Sequence, residues 1–359
     1  MCMFLRKKSI YYSPNTLGAG TSETNKLVLS EYNFSADWLI LVPKSQTAFL
    51  SDSSRARIVG INEDVILSTI HRGLWLSILM LISLIRSFDN FLVIANYCAL
   101  PVRSRNKSVI VRHPYLLDND HWEELKFGRR VKEKVRRAIL RLTLMHIKKC
   151  FVQIATWKVV LSETYKYSGI LDVLPNPLPS ELSFRGRRFQ ERRNFYSIVY
   201  PSIYYEHKNF DFILAFLKHY QVELKALGVR ITLYVNQDQF KLSNKELDDL
   251  LILKGRVSRE TVLDDLKSCD LVFFPSLRET YGNGIYEGLA LGKPLLIHDA
   301  SYSLALKNIP GVERQKMFID NRSEVYKSLR KLLETNQESS FKPMFVREWM
   351  SNLLNEDNE

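Results

Sequence analysis

The sequence predicts an α/β protein of two lobes, each a parallel sheet covered by helices on both faces. Short apolar runs alternate with helical stretches in two successive series. The runs are nearly continuous in apolar residues, as strands buried on both faces must be. The two series are separated by Pro175-Asn176-Pro177-Leu178-Pro179, where three prolines in five positions cannot continue any regular element. The length of 359 residues suits two domains at roughly 100–200 residues each.

The first series opens with a strand at Ser9 to Ser13. The uncharged run Gly73 to Ile85 is a helix too short to span a bilayer, which takes about 20 apolar residues. It is either buried against the sheet or partly exposed and touching a membrane. Strands follow at Phe91 to Ala95 and Ser108 to Val111, then a long helix from about Trp122 to Lys149. Next come strand Phe151 to Ile154, helix Lys158 to Tyr167 and strand Ile170 to Leu174. After the proline linker and the Arg-rich stretch Arg185 to Asn194, the second series reads strand Tyr196 to Tyr200, helix Asn209 to Leu227 and strand Arg230 to Val235. It continues with a helix near Asn244 to Leu250, strand Leu251 to Leu253, helix Glu260 to Lys267 and strand Leu271 to Phe274. Helix Gly284 to Leu291, strand Pro294 to His298 and a terminal helical region complete it. The domains are therefore 1–178 and 195–340, with 341–359 a helix or tail packed back on the first domain. Ligand is expected in a cleft at the carboxyl ends of the strands.

Four scattered cysteines, Cys2, Cys98, Cys150 and Cys269, form no C-x-x-C pair, so neither a zinc cage nor a disulfide framework is indicated, and a reduced cytoplasm fits. The start, MCMFLRKKSIYY, has neither the apolar region nor the cleavage site of a secretory signal. The net charge of +12 is uneven: residues 1–178 carry 25 Lys+Arg against 14 Asp+Glu, whereas the remainder is nearly neutral. Such an imbalance points to an anionic partner of the first domain. Much of it lies in Arg129 to Lys149, where nine Lys/Arg, among them Arg129, Arg130, Arg136, Arg137 and Arg141, face a single Glu133. Val131, Val135, Ile139, Leu142 and Met145 recur there at helical spacing. This basic amphipathic helix is a solvated outer face or an element that adheres to anionic lipid headgroups. Its aliphatic stripe suits base stacking poorly, so nucleic acid is not the expected partner.

The segment Asp270 to Asp299 carries the most chemistry. A buried strand ends at Pro275-Ser276, a loop presents Glu279, Gly282 and Gly284 permit a tight turn around Asn283, and a helix opens with Glu287 in its first turns. A helix N-terminus offers N–H groups and a positive dipole to a phosphate. An ionised carboxylate accepts two hydrogen bonds from a vicinal diol of ribose or hexose. Together these describe a nucleotide-sugar pocket.

Glu279 and Glu287, with seven residues between them, resemble the Glu-x7-Glu motif of retaining GT-B glycosyltransferases, specifically glycosyltransferase family 4 (group 1). Gly255-Arg256-Val257 upstream, Cys269-Asp270-Leu-Val-Phe-Phe-Pro-Ser, Glu-Thr-Tyr-Gly and Glu287-Gly-Leu-Ala-Leu-Gly-Lys-Pro extend the resemblance. It implies two Rossmann-like domains whose parallel sheets face each other across a central cleft. It further implies that Glu287 holds the ribose hydroxyls, that Glu279 faces the donor sugar, and that backbone N–H groups of 282–284 lie near the diphosphate, with Arg256 and Val257 also at the donor. Glu206-His207-Lys208-Asn209 is similar to the family loop whose lysine neutralises the diphosphate, so Lys208 stabilises the leaving group. Ser202 stands where the family often has an arginine; Arg256 and Arg278 are candidate substitutes. In the first domain, Gly18-Ala19-Gly20 is similar to the family's glycine loop beneath the diphosphate, or is an ordinary turn. His113 ends a strand where related enzymes place a histidine near the donor sugar, or is a core or capping histidine.

The resemblance implies a hexosyltransferase that needs no metal and no cofactor beyond its nucleotide-sugar co-substrate. It points to bacterial O-antigen or capsule assembly. The acceptor expected is a lipid-diphosphate-linked glycan, reached from the cytoplasmic side of an anionic membrane surface by a peripheral protein. The alternatives are a sugar-nucleotide epimerase of the same fold and a non-catalytic basic binding protein. Asp118-Asn119-Asp120 matches an Asp-x-Asp metal motif but reads as a turn. Gly18-x-Gly20 lacks the third glycine of a dinucleotide fingerprint, its place being taken by Glu23.

Overall fold

The computed structural model describes residues 7–14, 19–94, 96–98, 100–117, 127–182, 195–240, 247–335, 341 and 343–354. Two compact units emerge: Met1–Pro179 together with Met344–Glu359, and Ser180–Pro343.

The first unit is built in the order β1 (Ser9–Tyr12), α1 (Ala19–Glu31), β2 (Trp38–Pro43), β3 (Arg57–Ile61), α2 (Val65–Ile85), β4 (Phe88–Val93) and β5 (Ser104–Val111). It continues with α3 (Pro114–Leu117), α4 (Phe127–Leu144), β6 (Lys149–Val152), α5 (Thr156–Tyr165) and β7 (Ile170–Val173). All seven strands pair in parallel in the order β3-β2-β1-β4-β5-β6-β7. The central strands are apolar throughout: every residue of β2, WLILVP, is buried. Crossovers between parallel strands are right-handed. The steps β3→α2→β4, β5→α4→β6 and β6→α5→β7 all run toward the β7 edge, so α2, α4 and α5 cover one face. The step β1→α1→β2 runs the other way and puts α1 on the opposite face.

The second unit follows with β8 (Tyr196–Tyr200), α6 (Phe210–His219), α7 (Gln221–Ala226), β9 (Val229–Leu233), β10 (Leu251–Leu253), α8 (Arg259–Ser268) and β11 (Leu271–Phe274). Then come α9 (Asn283–Ala290), β12 (Leu295–His298), β13 (Val312–Gln315) and α10 (Arg322–Glu334). Its six parallel strands run β10-β9-β8-β11-β12-β13. The chain moves outward from β8 to β10, returns through α8 to β11, and moves outward on the other side. Strands β8 and β11 therefore flank the point where the order reverses, and α8 and α9 share a face.

Several expected elements differ in detail. Strands β2, β3 and β13 were not anticipated. The helix expected over Asn209 to Leu227 breaks at Tyr220, whose φ of −108° and ψ of 28° end α6. The basic helix stops at Leu144, not Lys149, because Lys149 opens β6. Residues 118–126, with the Asp-x-Asp match, residues 183–194 and the first part of the helix expected near Asn244 lie outside the described residues.

The last helix, α11 (Val346–Leu354), belongs to the first unit. Leu178 N–H donates to Met344 C=O at 2.8 Å where the chain returns. Val346, Trp349, Met350, Leu353 and Leu354 enter one apolar cluster with Tyr11, Val28, Phe34 and Trp38. Trp349 is fully buried, with the Arg112 guanidinium 5.8 Å over its ring. Phe34 sits edge-on to Trp38 at 5.4 Å, the attractive arrangement for ring quadrupoles. Helix α11 thus closes the α1 face of the sheet. Trp349→Ala removes the largest side chain of that seal and is expected to cost about 3–5 kcal/mol, measured by denaturant titration; a change below about 1 kcal/mol would show the helix to be dispensable for the core.

Candidate functional site

The loops leaving β8 and β11 meet at the reversal point of the second unit. The first runs through a 3-10 turn, Glu206–Lys208, to Asn209, whose φ of 55° is left-handed. Asn209 Nδ2 donates to the carbonyls of Pro275 at 3.2 Å and Met317 at 3.0 Å. Leu277 N–H donates to His207 C=O at 2.8 Å, and Ser276 Oγ donates to the same carbonyl at 3.2 Å. From below, Tyr200 OH donates to Lys208 C=O at 3.0 Å, and Tyr302 OH donates to Ser276 C=O at 2.7 Å. Burial and, after it, the charge of Glu279 push both phenols well above the ordinary tyrosine range, so they remain donors at neutral pH. The two loops are therefore fixed to each other by backbone and buried side chains before any ligand arrives.

Lys208 Nζ is hydrogen-bonded and ion-paired with Glu279 Oε1, and its ammonium lies 5.7 Å over the Phe274 ring. Both side chains are nearly buried, at 13% and 12% exposure, so their attraction is screened little by solvent. Four residues beyond Glu279, the turn passes through Tyr281-Gly282 and enters α9 at Asn283. Gly282 takes φ 79°, a conformation that costs a side chain, and no side chain caps the helix it precedes. At Gly284 a Cβ would lie 2.4 Å from Pro201 Cγ, so only glycine lets α9 come this close to the β8 loop. Tyr281 and Tyr286 stack at 3.8 Å with planes 2° apart and brace the turn.

Glu287, on the second turn of α9, is 3% exposed and accepts from Arg259 Nη2 at 2.6 Å. Arg259 is the first residue of α8, next to α9 on the same face, behind the Ser258 N-cap. A buried carboxylate needs such a partner. Sequence reasoning missed Arg259. The signal was there: an arginine in the first turn opposes the helix dipole, and a position that accepts this penalty invites a compensating acid. Of the other donor-binding candidates, Ser202 is buried at the end of the β8 loop's first turn. Arg256 is exposed and Val257 half-buried between β10 and α8; Arg278 is buried beside Glu279. Among the described residues, Lys208 pairs with Glu279 and Arg259 with Glu287.

In the first unit, Gly18 lies outside the described residues, and Gly20 is in the first turn of α1 rather than in a loop. His113 follows β5; its Nε2 lies 2.8 Å from Arg136 Nη1 and 3.7 Å from Glu133 Oε2. Arg136 also donates to buried Glu133 at 2.5 Å, and Arg137 donates twice to Tyr115 C=O, at 2.9 and 3.1 Å. Arg129 lies over the Tyr115 ring at 4.9 Å and Arg141 over Tyr165 at 5.8 Å. Arg130 is half-buried. Arg136 and Arg137 are thus turned inward on their own unit, unlike the outward role the sequence suggested.

The assembly in the second unit offers two carboxylates, an ammonium, a guanidinium and an uncapped helix N-terminus around one turn. That set can accept hydrogen bonds from sugar hydroxyls and attract a phosphate. Arg259→Ala is expected to lower stability by about 1.5–3 kcal/mol, because Glu287 stays buried, and adding Glu287→Gln should recover most of the loss in a double-mutant cycle read by chemical denaturation. Additive losses would show the pair to be uncoupled.

Residues 186–340 match the family model of the glycosyl transferases group 1. No curated protein matches the chain by sequence. Among solved structures, WaaG, a glycosyltransferase involved in lipopolysaccharide biosynthesis, is similar with a TM-score of 0.62 at 12% identity, covering 98% of this chain and 95% of its own. The N-terminal domain of Candida albicans trehalose-6-phosphate phosphatase also gives a TM-score of 0.62 at 12% identity, covering 98% and 97%. Anabaena Alr3699/HepE in complex with UDP gives 0.60 at 12% identity, covering 97% and 94%. At such identities the likeness is one of fold. The chain has the GT-B fold of two Rossmann-like domains, and its segment 186–340 is similar to the group 1 glycosyl transferases.

Proposed function

We propose that the chain is a retaining, metal-independent glycosyltransferase that moves a hexose from a nucleotide sugar to a lipid-diphosphate-linked glycan. The setting is the cytoplasmic face of an anionic membrane, in surface polysaccharide assembly of the O-antigen or capsule type. The observation that carries the reading is the Lys208–Glu279 pair, which joins the two loops at the strand-order reversal of the segment similar to group 1 enzymes. The HepE complex with UDP supports a nucleotide-sugar donor for this fold.

In this reading Glu287 accepts from the ribose hydroxyls, steadied by Arg259, and Glu279 accepts from hydroxyls of the donor sugar. Lys208 and the N-terminus of α9 draw the diphosphate to 282–284, and Arg256 and Val257 line the base side. The bond from the anomeric carbon to the phosphate oxygen breaks while the acceptor oxygen bonds to the same face. The departing diphosphate takes the acceptor's proton, and Lys208 balances its growing charge. His113 is the catalytic candidate of the first unit, its ring oriented by Arg136 and Glu133.

A thermal-shift screen against UDP-, GDP-, ADP- and dTDP-sugars tests the pocket. One donor at about 100 times its Kd is expected to stabilise the protein by about 2.7 kcal/mol, and Glu287→Ala to abolish the effect; equal stabilisation of parent and variant would remove Glu287 from the site. Lys208→Ala is expected to lower kcat by about 10²–10³ in a donor-turnover assay, together with a lowered folding midpoint because nearly buried Glu279 loses its partner. Unaltered kcat would deny it the leaving-group role.

A further inference from the structure

The outer sides of α2 and α4 are apolar where a soluble helix is ordinarily polar. On α4, Leu140, Thr143 and Leu144 face the core together with Glu133. At roughly 100° per residue, Phe127, Val131, Val135, Leu142 and Met145 fall on the side roughly opposite. All five are exposed, Phe127 and Met145 at 82%. The cations border this stripe: Lys134, Arg130 and Arg141 on one side, Lys132 on the other. Helix α2 repeats the arrangement without charge. Leu76, Leu79 and Ile82 face the core, while Ile70, Leu74, Leu81, Leu84 and Ile85 are exposed on the opposite side, Ile85 at 82%. Between Arg72 and Arg86 the helix carries no charged residue. Right-handed crossovers put both helices on one face of the seven-stranded sheet, away from α1 and α11. Neither stripe is long and apolar enough to cross a membrane.

We infer that the outward face formed by α2 and α4 docks on the surface of an anionic lipid bilayer, α2 and the α4 stripe entering the acyl boundary while the bordering cations meet the headgroups. Charge complementarity selects this occupant. An apolar stripe edged by lysine and arginine matches the two layers of such a surface, apolar below and negative above. A purely apolar partner would leave the bordering cations unanswered. Arg136 and Arg137 take no part, because they are engaged with Glu133, His113 and the Tyr115 carbonyl. The inference deepens the membrane setting of the proposed function and fails separately from it, since donor binding in the second unit does not depend on vesicles.

Flotation of the full chain with two kinds of vesicle tests it: phosphatidylcholine alone, and phosphatidylcholine with phosphatidylglycerol. The parent is expected to float with the anionic vesicles and far less with the neutral ones. A rise from ~0.05 to ~0.5 M salt should weaken the attachment without abolishing it, since only the headgroup contribution is screened. Lys132→Gln with Lys134→Gln and Arg141→Gln should lower the partition about a hundredfold, at about fivefold per cation. Leu74→Ser with Leu81→Ser on α2, exposed positions whose change should leave the thermal midpoint intact, should lower it at least about tenfold and remove the salt-resistant part. Absence of parent binding to anionic vesicles, or stripe variants that bind like the parent, would overturn the inference. So would light scattering that shows a dimer dissociated by the stripe variants, which would assign the face to a second copy of the chain.

Discussion

The second unit depends on the tie between the loops that leave β8 and β11. In a parallel sheet the strand order reverses once, and the connections on either side diverge there, leaving backbone at the carboxyl ends without the cover of a helix. Here that gap is held at a set width by Asn209 reaching to Pro275 and Met317, by His207 accepting from Leu277 and Ser276, and by the Lys208–Glu279 ion pair. Glycine at 284 then lets α9 settle against Pro201. The chemistry proposed for the site follows from this geometry, because acids and cations that would repel or wander in a loose loop are set around a single turn.

The same turn explains why buried charge is tolerated. Glu287 and Glu279 each have a cation within reach, so the unliganded site is neutralised internally. A diphosphate can share Lys208 with Glu279 without stranding either charge in the interior. Buried pairs of this kind add little net stability, but losing one partner is costly, which ties the integrity of the site to that of the α8–α9 contact.

Much of the second unit was legible in the sequence. β11 falls on the residues read as a strand, and α8, α9 and β12 differ from expectation by a residue or so at their ends, because their apolar runs are short and bounded by Gly, Pro or Ser. The acid spacing was likewise readable, since loop and helix are local. Arg259 was not: its partner is twenty-eight residues away, and only the shared sheet face brings them together. In the first unit, β2 and β3 were missed between polar, turn-rich stretches; in the second, β13, VERQ, is half-buried and has no apolar pattern to reveal it. On α4 periodicity found the stripe but not its direction. The core-facing side is marked by Leu140 and Leu144 together with Glu133, whose burial depends on Arg136; a hydrophobic pattern alone cannot tell a core-facing stripe from one left for a partner.

Amide hydrogen exchange of the full chain with and without the donor sugar that stabilises it tests the central claim most directly. Slowed exchange concentrated in 201–209 and 277–288, weakened by Glu287→Gln, is the result this account predicts. Protection confined to other segments, with those two loops exchanging as in the free protein, would contradict it.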